Sequence, residues 1–190
     1  MNVFILCSGR TGSVSFIKAC EHISNFSADH ESKAKDFSAS KFEYPDQHIE
    51  ADNRLSWFLG QLDKAYGDSA YYVVLKRDKA DTVASFGKRW NNRGSIVAAF
   101  KSGILMLGDR STNEAESSRI CELYYDTIYD NIDLFLKDKT KVLRMDLENI
   151  KDDFSRFWEW ICAEGDIEAA LKEFEQKHNS SKKSKWFNWK

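Results

Sequence analysis

The segment Ser8-Gly9-Arg10-Thr11-Gly12-Ser13, continued by Val14 and Ser15, combines small residues, hydroxyls and one guanidinium. It stands between an apolar run at 3–7 and a stretch with helical spacing. Two glycines let such a turn gather backbone N–H groups into one concavity, and the helix behind it adds its positive end. Arg10 adds a full charge, and Thr11, Ser13 and Ser15 add hydroxyl donors. The chemistry is the binding of phosphate or sulfate. A plain strand-to-helix turn whose glycines only relieve strain has the same appearance. The P-loop of nucleotide hydrolases requires G-x-x-x-x-G-K-[ST], whereas Gly12 is followed by Ser13 and stands too close to Gly9. The dinucleotide fingerprint G-x-G-x-x-G also fails.

A second group follows the strongest strand pattern of the chain, Tyr71-Tyr72-Val73-Val74-Leu75. Arg77 lies where that strand ends, and Ser85 lies two turns into the next helix. Both can face the crevice at the carboxyl edge of a parallel sheet, where such folds bind ligands. A guanidinium and a hydroxyl converging there would clamp a second phosphate. Taken alone, Arg77 reads more often as a surface or salt-bridging residue.

The two segments together resemble the family of sulfotransferases that use 3′-phosphoadenosine 5′-phosphosulfate (PAPS). Segments 3–15 and 71–86 carry the resemblance, which suggests a small, soluble, bacterial-type member. It implies a P-loop-like three-layer α/β sandwich, with a central parallel sheet flanked by helices. It implies that the loop, including Gly9, Arg10, Gly12 and Val14, holds the donor's 5′-phosphosulfate, and that Arg77 and Ser85 hold its 3′-phosphate. The implied activity moves a sulfuryl group from PAPS to a hydroxyl or amine of an acceptor, such as a carbohydrate, with no metal. Many members have Lys at the position of Arg10 and Pro at that of Lys79. Arginine does not readily release a proton, so Arg10 is expected to neutralise charge on the departing oxygen. The late glycine- and lysine-containing donor motif of the cytosolic branch is missing.

An acceptor hydroxyl needs a base within hydrogen-bond reach. Family members use a His or a Glu, often shortly after the second strand, and His30-Glu31 stands there. His48 and Glu50 form a second pair, which alternation would project to one side of an extended segment. Glu31 and His30 are the preferred catalytic candidates, with His48, Glu50 and Arg54 as substrate-binding candidates. Trp57, Arg89, Trp90 and Arg93 are further lining candidates, the two tryptophans being equally suited to a core. A solvated loop is the plain alternative for both His/Glu pairs.

The elements that must position these groups can be read from periodicity. Strands are expected at 3–7, near Phe26, at 71–75 and at 141–145. Helices are expected from Ser13, from Asp52 to about Gly67, from Asp78 or Asp81, at 95–107, 113–136 and 154–161. The stripe Ile120, Leu123, Tyr124, Ile128, Ile132, Phe135 marks the buried face of the long helix. Residues 27–46 read as a long surface loop. Alternation of strand and helix gives a parallel sheet covered on both faces.

With 190 residues, one domain is expected over 1–190, with the tail 178–190 flexible. Its basic part, Lys182-Lys183-Ser184-Lys185-Trp186, could instead close over the nucleotide. A net charge of −2 gives no general attraction to nucleic acid or an anionic membrane. The four cysteines show no metal-ligand spacing, and no signal peptide or anchor is visible, so a cytoplasmic protein is expected. Two other functions fit the same residues: a kinase-like nucleotide enzyme, and a non-catalytic binder of nucleotides or anions.

Overall fold

Every residue of the first strand, β1 (Asn2–Leu6), is buried. Its side chains alternate between two cores, Val3 and Ile5 entering one and Phe4 and Leu6 the other. A strand sandwiched in this way reads as a continuous apolar run rather than an alternating one. In the computed structural model, which describes residues 1–176 apart from 91 and 93, β1 is the middle strand of a parallel sheet. The strand order is β2-β3-β1-β4-β5, with β2 (Ser27–His30), β3 (His48–Ala51), β4 (Tyr71–Lys76) and β5 (Val142–Asp146).

One face is covered by α1 (Ser13–Cys20), α6 (Ile150–Trp160) and α7 (Ile167–Lys172). Phe16 of α1 meets Phe154 and Phe157 of α6 at ring distances of 5.3 and 5.1 Å. The opposite face is covered by α2 (Leu59–Tyr66), α3 (Lys79–Gly87), α4 (Ile96–Ala99) and α5 (Glu114–Phe135). Asn113 and Glu116 form a reciprocal capping box that starts α5. No helix among the described residues is long and apolar enough to cross a membrane.

Several expectations shift in detail. Residues 27–30 form the edge strand β2, so the loop begins at 31, and β3 occupies the segment His48-Ile49-Glu50-Ala51. Both strands are four residues long and poor in β-branched and aromatic residues, which is why they carry little strand signal. The helix expected from Asp52 is a 3-10 turn, Asn53–Trp57, broken at Phe58 before α2 begins. The stretch 95–107 is α4 followed by a π-helical turn, Phe100–Ile104. Leu123 is 47% exposed and does not belong to the buried stripe of α5. Helix α7 was not expected, although its cap Asp166 and the spacing of Ile167, Ala170 and Leu171 signal it. The tail 178–190 and Arg93 lie outside the described residues.

The chain leaves the carboxyl end of β1 toward α1 on one face, and the carboxyl end of its neighbour β4 toward α3 on the other. Adjacent strands whose following helices diverge open a crevice between them, the usual ligand position in parallel α/β sheets. Both motif segments start at its rim.

Candidate functional site

The loop after β1 curls because three of its residues adopt left-handed backbone, Gly9 (φ 82°), Arg10 (φ 63°) and Gly12 (φ 87°). At the two glycines an added Cβ would also press on a neighbouring side chain, which would have to shift. A Cβ on Gly9 would lie 2.9 Å from Asn53 Nδ2, and one on Gly12 would lie 2.6 Å from Leu147 Cδ1. Gly12 gives α1 no side-chain cap, and the first turn holds no acidic residue. The positive end of α1, with Ser13, Val14 and Ser15 in its first turn, is therefore left uncompensated by the protein. The Thr11 hydroxyl is buried and bonds no nitrogen or oxygen; only the Cys7 thiol lies against it.

Helix α5 holds this loop and the end of β4 from below. Tyr124 donates to the Ser8 carbonyl at 2.9 Å, Tyr129 to the Leu75 carbonyl at 2.8 Å, and Tyr125 to the Arg77 carbonyl at 3.1 Å. Sequence reading placed Tyr124 in an apolar stripe and gave these hydroxyls no part in the site. The signal was present, since buried phenols need partners, but the partners lie 48 to 116 residues away. Tyr124→Phe leaves the buried Ser8 carbonyl without its donor, and chemical denaturation should show about 1–2 kcal/mol lost.

Across the crevice, Arg10 Nε donates to Ser85 Oγ at 3.0 Å, joining residues 75 apart in sequence. Burial lowers the pKa of Arg10, and the charges of Arg89 and Arg77 lower it further. The guanidinium groups of Arg77 and Arg89 thus repel that of Arg10 at the crevice, a field that an anion would relieve. Arg77 bonds Asp81 at 3.0 Å, an exposed i,i+4 pair of small energetic weight. Asp78 caps α3 through the Asp81 N–H, and its own N–H is taken by Glu148. Arg89, considered above as an acceptor-side residue, is placed beside Arg10.

The ends of β2 and β3 border the loop from the other side. His30 Nε2 lies 3.0 Å from Ser13 Oγ, at the start of α1. Glu31 has left-handed backbone (φ 57°), and its carboxylate meets Arg54 at 3.0 Å and Asn53 Nδ2 at 3.4 Å. Burial works against the Arg54 charge, but Glu31 and Asp52 outweigh it and its pKa rises. Burial pushes the Asp52 carboxyl up, against the Arg54 N–H and guanidinium. Glu31 and Arg54 are about one-third exposed at their side chains, 30% and 33%.

His48 and Glu50 are placed differently, at 2% and 0% exposure inside the protein. They bond each other and the serines of the neighbouring strand and turn, so neither faces a surface where an acceptor could reach it. Trp57 and Trp90 pack against the α5-side core, the second of the two roles considered for them. The structure therefore brings together the loop, Arg77, Ser85, Arg89, His30, Glu31 and Arg54, and it separates His48 and Glu50 from them.

No protein-family model matches the chain, and no curated protein matches it. Among solved structures, a mouse sulfotransferase, SULT7A1, complexed with PAP, aligns with a TM-score of 0.59 at 14% identity. The alignment covers 92% of this chain and 63% of that one, so the chain spans less than two-thirds of the mouse protein's length. At this identity the likeness concerns backbone architecture, and in that architecture the chain has the P-loop-like, three-layer α/β fold of a sulfotransferase.

Proposed function

We propose that this protein is a sulfotransferase that takes its sulfuryl group from PAPS and transfers it in line to a hydroxyl or amine of an acceptor, a carbohydrate being one candidate. The observation that carries the reading is the cationic crevice between β1 and β4, where Arg10 meets Ser85 and repels Arg77 and Arg89. PAPS supplies the sulfuryl group and, as leaving group, a phosphate oxygen. The curled loop from Ser8 to Ser13 and the first turn of α1 are suited to its 5′ end, because that turn has neither a side-chain cap nor an acidic residue. Arg77 and Ser85 are suited to its 3′-phosphate.

Sulfuryl transfer resembles phosphoryl transfer, in which positioning and charge stabilisation dominate. In this reading Arg10 neutralises the charge gathering on the departing oxygen, as a fixed cation rather than a proton donor. Glu31 or His30 takes the acceptor proton. Both stand at the carboxyl edge of the sheet beside the loop, and His30 already bonds Ser13. The four cysteines are all unpaired, in keeping with the proposed cytoplasmic location.

Calorimetric titration of the protein with PAP, with 5′-AMP and with ATP plus Mg²⁺ tests the reading. PAP should bind at least about tenfold more tightly than 5′-AMP, the difference being the charge-assisted bonds to its 3′-phosphate. Tighter binding of ATP with Mg²⁺ would favour a kinase-like enzyme, and equal affinities for PAP and 5′-AMP would sink the assignment of Arg77 and Ser85.

A further inference from the structure

We infer that Glu50, backed by His48, is a positioning residue that sets the backbone of Glu31 at the acceptor side of the crevice. The inference rests on the proposed sulfotransferase reading for the role of Glu31, but its geometry stands alone. Glu50 lies on the same face of β3 as His48, and its carboxylate is fully engaged. One oxygen accepts the Ser32 N–H at 2.9 Å; the other accepts the Ser32 hydroxyl at 2.5 Å and lies 3.2 Å from His48 Nε2. His48 Nδ1 lies 2.8 Å from Ser27 Oγ, and the Tyr44 ring stacks on the imidazole at 5.4 Å. With the ring proton on Nε2 facing Glu50, the Ser27 hydroxyl can donate to Nδ1.

A buried pair of ionisable groups adds little stability over a well-packed apolar pair. Its position suggests another use. Ser32 directly follows Glu31, a non-glycine residue in the left-handed region (φ 57°). Such a conformation persists only where neighbours impose it. Here they do so from both sides: the Glu31 N–H bonds the Ala51 carbonyl at 3.1 Å, and Ser32 is held twice by Glu50. With the backbone fixed in this way, the Glu31 carboxylate reaches Arg54 and Asn53, and Asn53 lies against Gly9 of the anion loop. The buried dyad thus acts on the site through one turn, without facing it.

The test is NMR on the full-length protein without nucleotide, comparing wild type with Glu50→Gln. Glutamine keeps an acceptor for the Ser32 N–H, and its amide group can donate to His48 once the imidazole carries its proton on Nδ1, so the fold has a way to accommodate it. Amide exchange at Ser32 should become about tenfold faster, the scale of exchanging a charge-assisted bond for a neutral one, while β1 amides exchange as before. The Arg54 guanidinium, held by Glu31 and Asp52, should give signals that shift from wild type toward those of a Glu31→Gln variant measured alongside. Unchanged Ser32 exchange and unchanged Arg54 signals in folded Glu50→Gln would overturn the inference, and so would uniform acceleration across the sheet. Should Glu50→Gln fail to fold, Ser32→Ala removes only one hydroxyl donor and is followed by the same signals: faster exchange at residue 32 with Arg54 signals shifted in the same direction supports the inference, and no change in either overturns it. Because no nucleotide enters the measurement, a failure to bind PAP counts against the sulfotransferase reading alone.

Discussion

On the proposed reading, Arg77→Ala should lower the affinity for PAP by about 30- to 1,000-fold, the 2–4 kcal/mol expected when one partner of a charge-assisted phosphate contact is removed. The expectation follows from position. Arg77 directly follows β4, with its backbone carbonyl held by Tyr125, and its charge is close enough to Arg10 to lower that residue's pKa. Its partner in the absence of ligand is Asp81, whose side chain is 63% exposed, and giving up that pair costs little. Arg77→Lys keeps the charge but loses the planar fork, so it should fall between wild type and Arg77→Ala. Arg10→Ala should show the same loss of PAP affinity by a different route, since Arg10 reaches Ser85 from the opposite rim. In the absence of nucleotide neither alanine variant should melt lower by more than a degree or two, because Arg77 gives up only an exposed ion pair and Arg10 is a cation that burial and its neighbours disfavour. Calorimetry with PAP, paired with thermal melts without it, measures both halves. Undiminished affinity in both variants would remove the crevice from consideration as a nucleotide site.

Gly165→Ala should destabilise the protein by about 2–4 kcal/mol, with the loss seen in denaturant unfolding. Gly165 sits between α6 and α7 with φ 136°, and a Cβ there would lie 2.1 Å from the His22 carbonyl oxygen. That oxygen belongs to backbone, so no rotamer change relieves the clash. The same junction ties the end of α1 to the C-terminal helices. Ser24 N–H bonds the Glu164 carbonyl at 2.7 Å, Asp166 N–H bonds the His22 carbonyl at 3.2 Å, and Ile23 bridges Gly165. Gly60→Ala is the internal control. It lies in α2 with nothing within 4 Å of the added carbon, so it should stabilise by about 0.5–1 kcal/mol. Equal effects at the two positions would contradict the packing described at the junction.

What the sequence made legible follows from how each residue encodes its place. The strands β1 and β4 are buried on both faces and therefore written as apolar runs, so they can be found from hydropathy alone. The loop from Ser8 to Ser13 is legible because left-handed turns demand glycine, and Arg77 and Ser85 because a fixed spacing relates strand end to helix face. Strand β3 is not legible in this way. It carries a histidine and a glutamate at full burial, a pattern that polarity assigns to a loop, and only the serines brought in by β2 and the following turn make that burial tolerable. For the same reason His48 and Glu50 look like exposed site residues in the sequence. The phenols of α5 were hidden differently: their apolar bodies fit the core stripe, while the tips serve carbonyls that only the tertiary fold brings near.

The three phenols of α5 also decide how the crevice meets a ligand. They fasten the first loop and the end of β4 to one 22-residue helix through buried or half-buried hydrogen bonds. Neither segment can swing open without breaking them, so on the proposed reading the two rims would keep their separation with or without a nucleotide. The entropy of arranging the donors was lost when the chain folded, and a ligand spanning both rims meets a ruler rather than a clamp. On the proposed reading, molecules whose anionic groups lie at the wrong distance would be refused by length.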